Sequence, residues 1–240
     1  MRNILFFLAL LPLNLLAQTS GKVWTEVGVK GSVLKDLDYG LEVTNRFGST
    51  GLETFFPQVS FKYKLTKWFR PSVDYRLIFD EDEFGNYGYS HRLNFNGELR
   101  HAFFERLIVS GRVRYQYSFD RFLAAENYDA EFDQALRFKP QISYDINDVF
   151  LTPTVSIEYF LNPAYGPFGE RFTKYRFFAG FDLDIDSPHC ISIGYILDQE
   201  INLPNPERKH ILSVSYAYEL GWEGKKDKKK TGKGRNPATL

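Results

Sequence analysis

The segment Leu107-Ile-Val-Ser-Gly-Arg-Val-Arg-Tyr-Gln-Tyr-Ser-Phe119 alternates between apolar and polar side chains. Its odd positions are mostly apolar or aromatic, and its even positions include Arg112, Arg114, a glutamine and two serines. A period of two places these two sets on opposite faces of a β-strand. The segment therefore predicts a strand with one apolar face and one polar, arginine-bearing face.

The same alternation recurs along most of the 240-residue chain. Eleven segments carry it: 23–33, 39–47, 55–65, 71–79, 89–101, 107–119, 136–146, 151–161, 175–185, 191–201 and 212–220. The connections between them alternate between short ones and longer ones rich in Gly, Pro, Asn, Asp and Glu, which favour turns and loops. No stretch holds a 3.6-residue period over three turns, so the pattern indicates an all-β chain.

Long alternating strands with short turns at one end and longer loops at the other are typical of an outer-membrane barrel. Hydrocarbon offers no partner for backbone N–H and C=O groups, so a sheet can cross a bilayer only as a closed barrel. We therefore predict a transmembrane, antiparallel, up-and-down β-barrel of 10–12 strands. Because bacterial barrels have even strand numbers, twelve is slightly preferred over the eleven segments that are visible.

A soluble β-sandwich and a periplasmic lipocalin-like barrel are the alternatives, and in both the polar face would meet water. Strand length, the 17% aromatic content and the arginine-rich polar parity favour the membrane barrel. Aromatic residues near strand ends would then form the interfacial girdles. The candidates are Trp24, Trp68, Phe69, Phe79, Tyr89, Phe104, Phe119, Phe150, Tyr159, Tyr175 and Trp222.

The two ends of the chain differ from the barrel segment, residues 18–220. Residues 1–17 combine a basic start with a short apolar run and predict a signal peptide, and hence export. Residues 221–240 form a basic tail that we expect to be disordered. These features predict an outer-membrane protein of a Gram-negative bacterium with both chain ends in the periplasm.

The inward parity of such a barrel would be heavily charged. The predicted lumen charge network comprises Lys62, Lys64, Asp74, Arg76, Arg92, Glu98, Arg100, Arg112, Arg114, Arg137, Lys139, Glu158, Arg176, Asp182 and Asp184. Unpaired charges in a confined interior are costly, so these residues are expected to pair and brace the lumen. The alternative is a narrow water-filled path whose basic wall prefers anions.

A membrane-embedded lipid or lipopolysaccharide hydrolase is a third possibility, but the sequence supports it weakly. No G-x-S-x-G or similar nucleophile motif occurs. His91 and His101 share one face of a single strand about 34 Å apart, too far to serve one site. We therefore expect no enzyme and no catalytic residues. We also expect no cofactor and no metal, since the acidic loop at 80–83 lacks EF-hand spacing.

Several stretches resemble an uncharacterised outer-membrane barrel family known as domain of unknown function 2490. They are 61–68 (FKYKLTKW), 113–117 (VRYQY), 174–180 (KYRFFAG) and 210–218 (HILSVSYAY). The resemblance covers the chain to about residue 220 and implies the fold and the location, but no activity.

The expected partners follow from this location. They are outer-membrane lipid and lipopolysaccharide, the barrel-assembly machinery during insertion, and an anionic periplasmic partner for the basic tail. A solvated tail without a partner is the simpler alternative. Nucleic acid is not expected, because barrel parity explains the interleaved Arg and Tyr residues better than base stacking does.

Overall fold

The fold is taken from a computed structural model that describes nine stretches of the chain. They are 21–81, 84–104, 106–119, 131, 133–146, 149–164, 171–183, 187–202 and 206–221. The predicted signal peptide, the tail beyond Gly221, and the predicted site residue Asp184 lie outside these stretches. The described chain contains no helix that is long and apolar enough to cross a membrane.

Eleven β-strands make up the described structure. They are β1 (Gly21–Leu34), β2 (Leu37–Gly48), β3 (Gly51–Tyr63), β4 (Phe69–Glu81), β5 (Tyr87–Phe103), β6 (Leu107–Phe119), β7 (Ala135–Tyr144), β8 (Leu151–Leu161), β9 (Phe172–Leu183), β10 (His189–Glu200) and β11 (Arg208–Glu219). Each matches one alternating segment of the sequence, which confirms the all-β fold.

The strands form a closed barrel in chain order, and each neighbouring pair from β1 to β11 is antiparallel. The last pair, β1 with β11, closes the barrel in parallel, with Gly21 beside His210 and Lys30 beside Glu219. This parallel pair allows an odd number of strands to close. The slight preference for twelve strands is therefore wrong, because the even-number argument assumed antiparallel closure.

The parallel pair also fixes where the described chain starts and ends. Strand β1 starts at the end of the barrel that carries the longer connections, whereas β11 finishes at the end with the shorter turns. Gly21 and Glu219 consequently lie at opposite ends of the barrel. Placing both chain ends on one side would require the residues before Gly21 to return to the short-turn end.

The two faces of the wall differ as the alternation predicts. Most outward side chains are apolar, and many are exposed, such as Val27 at 55% and Phe138 at 51%, while inward Arg92 and Asn94 are almost fully buried. A charged interior inside an apolar exterior reverses the usual arrangement of a water-soluble barrel.

Most predicted girdle aromatics have the expected outward placement. Trp68, Tyr89, Phe104, Phe150 and Tyr159 are exposed, and Phe69, Phe79, Phe119 and Tyr175 are partly exposed. Trp24 is the exception, because its indole is only 9% exposed and lies inside the barrel. Its assignment to a girdle is wrong: Trp24 shares the parity of the inward residues of β1. Trp222 lies outside the described residues.

Candidate functional site in the barrel interior

The predicted charge residues from Lys62 to Asp182 lie on the inner side of the barrel wall. One cluster centres on Glu158 of β8, which is 3% exposed. Arg137 of β7 donates two hydrogen bonds to its carboxylate, from Nε to Oε1 at 3.1 Å and from Nη2 to Oε2 at 2.7 Å. Arg112 of β6 donates a third, from Nη2 to Oε1 at 2.8 Å. One buried carboxylate therefore serves two guanidinium groups on neighbouring strands.

A second cluster joins β4, β5 and β6 around Asp74. Arg114 donates from Nη2 to Asp74 Oδ2 at 2.9 Å and from Nε to Asn96 Oδ1 at 2.6 Å. The Asn96 amide in turn donates to Asp74 Oδ2 at 3.1 Å and to Ser72 Oγ at 3.0 Å. These groups lie together because Ser72 pairs directly with Asn96 on the neighbouring strand, and Asn96 pairs directly with Arg114 on the next.

Nearer the short-turn end, the contacts are simpler pairs. Lys62 binds Glu98 at 3.1 Å, and Lys64 binds Asp38 at 2.7 Å. Both pairs are more exposed than the Glu158 cluster. Arg76, by contrast, donates to the amide oxygen of Gln58.

The remaining predicted residues also face inward. Arg92 and Arg100 lie on β5, Lys139 lies beside Arg112, and Asp182 lies beside Ser192.

Glu131 belongs to the connection between β6 and β7, yet its carboxylate lies inside the barrel, where the side chain is 8% exposed. Its Oε1 accepts from Arg46 Nη2 and Arg176 Nη2, both at 2.9 Å. Its Oε2 accepts from Arg176 Nη2 at 3.0 Å and Lys174 Nζ at 3.1 Å. Burial alone raises the pKa of Glu131, but Arg176, Arg46 and Lys174 outweigh it and hold that pKa well below its usual value.

Separate contacts hold the backbone at Glu131 and Asp133. The carbonyl oxygen of Glu131 accepts from Arg92 and from Gln116 Nε2, the latter at 3.1 Å. Gln116 Nε2 also donates to the carbonyl of Asp133 at 2.6 Å. The position of the backbone near Glu131 therefore does not depend on its carboxylate.

Arginine and aromatic side chains alternate around the wall near Glu131. In order they are Arg76, Phe56, Arg46, Trp24, Arg176, Phe160 and Arg137. Each guanidinium carbon lies between 4.1 and 5.3 Å from the centre of a neighbouring ring in the series. Cation–π contacts of this kind contribute about 0.5–2 kcal/mol each. We call these seven residues the arginine–aromatic ring.

The alternation of the sequence did not identify Glu131, Lys174 or Asp198 as interior charges. Asp198 binds Arg176 and Lys174, each at 2.9 Å. Strand parity could have indicated Lys174 and Asp198, because they share the inward face with Arg176. Glu131 lies within a long connection and carries no periodic signal.

Small inward residues accompany the charged ones on β8 to β11. Its inward residues include Ser156, Gly180, Gly194, Ser213 and Ser215. The ring of Phe178 lies over Gly180 and Gly194, where a Cβ would come within 2.7 Å and 2.3 Å of ring carbons. Phe178 therefore occupies the space that the two glycines leave open.

The four histidines lie apart on the outer face. The Nδ1 atoms of His91 and His189 share hydrogen bonds of 2.7 and 2.8 Å with the hydroxyls of Tyr75 and Tyr216. His210 makes the same contact with Tyr195, and His101 packs edge-on against Phe103. The described residues hold no group of three or more His, Cys, Asp or Glu side chains suited to a metal ion.

An apolar crevice of about 520 Å³ lies on the outer surface of β7 to β9. It is lined by Leu136, Phe138, Tyr159, Leu161, Phe172 and Ile201. Its lining side chains are aliphatic or aromatic, so it is suited to hydrocarbon rather than to a polar solute.

Comparison with known protein families gives one match. A family model described as "Protein of unknown function (DUF2490)" matches residues 21–210, which extend from the start of β1 into β11. No curated protein matches the chain.

Proposed function

Because the chain belongs to this family of proteins of unknown function, its role has to be inferred from its geometry, and we propose an outer-membrane β-barrel with a charge-braced interior. The observation that carries the proposal is the polarity of the wall, which is apolar and exposed outside and charged inside. In water this apolar outer surface would remain exposed at a cost in free energy, whereas the hydrocarbon of a bilayer would bury it. The ion-pair clusters then hold the wall from within.

The outer crevice supports contact with lipid. Its lining continues the exposed apolar surface of β7, where Phe138 and Ile142 are 51% and 54% exposed. A flexible acyl chain fits such a crevice because it can follow an irregular apolar wall. Outer-membrane lipid and lipopolysaccharide are therefore the proposed partners of this face, with the barrel-assembly machinery acting during insertion.

An arginine scan of the outer face tests membrane insertion. Val113 is the central residue of β6, and Phe104 lies in the turn that precedes this strand. In a bilayer, Val113→Arg should cost about 2–4 kcal/mol of unfolding free energy, and an arginine near the interface about 0–1 kcal/mol. Urea unfolding in lipid vesicles measures both values.

The matched control is Phe104→Arg, which introduces the same side chain at a position that is 93% exposed. A barrel surrounded by water would tolerate both arginines to a similar extent. Equal, small losses at Val113 and Phe104 would therefore refute the membrane proposal. Fractionation of the cell envelope gives an independent measure of location.

A narrow anion-preferring path is a second candidate. It is favoured by Arg76, which faces the lumen and donates to the Gln58 amide rather than to a carboxylate. Reconstitution in planar bilayers tests this idea, and Arg76→Gln should lower the chloride-to-potassium permeability ratio. Absence of conductance, or conductance without anion preference, rejects the path and leaves the braced barrel as the proposal.

We infer no hydrolytic activity. The imidazoles of His91, His189 and His210 bond tyrosine hydroxyls, and the contact of Ser187 with His189 is to the backbone N–H and not to the ring. Such contacts suit interfacial side chains. Lipid mass spectrometry after incubation with purified protein tests this inference, and release of fatty acid would contradict it.

A further inference from the structure

We propose that Arg46, Lys174 and Arg176 form a carboxylate-binding site inside the barrel, and that Glu131 is its tethered ligand. The inference goes beyond membrane insertion and requires no conductance. It rests on the contacts around Glu131, on the way the cations are held without it, and on the separate anchoring of the backbone.

The shape of the site matches a planar two-oxygen anion. Arg176 reaches both oxygens of Glu131, while Arg46 and Lys174 each take one, at 2.9 to 3.1 Å. Each oxygen therefore has two cationic nitrogens within hydrogen-bond distance, and Arg176 Nη2 shares its two hydrogens among both Glu131 oxygens and Asp198 Oδ2. Such charge-assisted hydrogen bonds are the strong kind in proteins. The three cations face two carboxylates, Glu131 and Asp198, so removal of the Glu131 carboxylate leaves an excess of positive charge that a small carboxylate can meet.

The cations are positioned by groups other than Glu131. The guanidinium carbon of Arg46 lies 4.1 Å from the centre of the Trp24 ring, and that of Arg176 lies 4.7 Å from the same centre. Asp198 also binds Lys174 and Arg176 at 2.9 Å each. Removal of the Glu131 carboxylate should therefore leave these three side chains close to their present positions.

The backbone carbonyls of Glu131 and Asp133 are likewise held by separate contacts. Arg92 and Gln116 bind the Glu131 carbonyl, and Gln116 also binds the Asp133 carbonyl. Truncation of the side chain thus creates a vacant, preformed space of carboxylate size. A free carboxylate of the same size, such as formate or acetate, is the chemical class that would fill it.

Chemical rescue of Glu131→Ala tests the site. The variant should melt at a lower temperature than the wild type, and added acetate should restore at least half of the loss along a saturable curve. Chloride at equal ionic strength should restore little, and sulfate less than acetate, because its four oxygens do not match the planar pair. The wild type should gain far less from acetate, since its site is filled.

Glu98→Ala is the matched control, because Glu98 forms a more exposed ion pair with Lys62 nearer the short-turn end, away from Arg46, Lys174 and Arg176. Acetate should give no saturable recovery in this variant. If Glu131→Ala does not fold unaided, its refolding yield across the acetate series, read by heat-dependent gel mobility, replaces the melting curve. Lack of acetate dependence, or equal dependence in Glu98→Ala, overturns the proposal. Equal rescue by sulfate overturns its assignment to carboxylates.

Discussion

Arg137 binds Glu158 through two parallel hydrogen bonds of 3.1 and 2.7 Å, and the same carboxylate also accepts from Arg112. Glu158→Gln would leave two inward guanidinium groups without this charge. Loss of one partner from a buried pair costs about 3–5 kcal/mol, because the other charge stays buried. We expect a decrease of that size in unfolding free energy, measured by urea titration in detergent or vesicles.

Glu98→Gln provides the comparison for that measurement. The Lys62 and Glu98 side chains are 20% and 13% exposed, whereas Glu158 is 4% exposed as a side chain. Water can solvate the lysine that remains, so the loss should be at most about half that of Glu158→Gln. Equal losses would show that the Glu158 cluster has no special role in bracing the barrel.

Trp24 is expected to stabilise the barrel through its position between Arg46 and Arg176. Trp24→Leu removes both cation–π contacts and part of a buried side chain, which should cost roughly 2–4 kcal/mol. Trp24→Phe keeps an aromatic face and should lose less than half as much. The same unfolding titration measures both variants.

Trp68→Leu is the control for the indole itself, because Trp68 is 56% exposed on the outer surface. It should change the unfolding free energy by about 0.5 kcal/mol or less. A Trp24→Leu variant as stable as Trp68→Leu would mean that the arginine–aromatic ring contributes nothing to stability.

The sequence was sufficient to predict the strands, because the signal for a strand is local. In the segment from Leu107 to Phe119, apolar and polar residues alternate over most of the length, and the structure forms β6 over the same residues. Closure is a property of the whole sheet. The parallel pairing of β1 with β11 leaves no local mark in either strand, so the sequence could not show how eleven strands close.

The interior site was predictable only where it follows strand parity. Arg112, Arg137 and Glu158 occupy inward positions that alternation identifies, but their pairing depends on the registry of three strands. The alternation rule expects inward positions to be polar. It therefore did not show that Trp24 and Phe160 also lie inside the barrel, where they pack against arginine side chains. Glu131 reaches the interior from a connection, where no periodic rule applies.

Substitution of Gly194 and of Gly180 by alanine should differ in how far a smaller residue at position 178 restores stability, because the added Cβ would meet different atoms at the two positions. A Cβ at Gly194 meets the Phe178 ring at 2.3 and 2.6 Å, while a Cβ at Gly180 also meets the backbone oxygen of Ile193 at 2.5 Å. Each alanine should cost about 1–3 kcal/mol through overpacking. Adding Phe178→Ala should relieve Gly194→Ala but leave most of the loss at Gly180→Ala.

A double-mutant cycle with unfolding titrations measures this difference. The coupling energy between position 194 and Phe178 should exceed the coupling energy between position 180 and Phe178. Equal coupling at the two glycines would contradict the placement of the Phe178 ring against Gly194.

Disulfide trapping tests the parallel seam that closes the barrel. Val23 of β1 pairs directly with Leu212 of β11, and directly paired positions lie within the Cα separation of about 4.4–6.8 Å that a disulfide spans. In a Cys190→Ser background, which removes the natural thiol, Val23→Cys with Leu212→Cys should therefore cross-link within one chain. Non-reducing gels of the folded protein measure the yield.

Val23→Cys with Tyr216→Cys is the mismatched control, because Tyr216 pairs with Val27, four residues and about 13 Å further along β1. A twelfth strand between β1 and β11 would separate both cysteine pairs, so failure of the matched pair to cross-link would exclude the eleven-stranded closure.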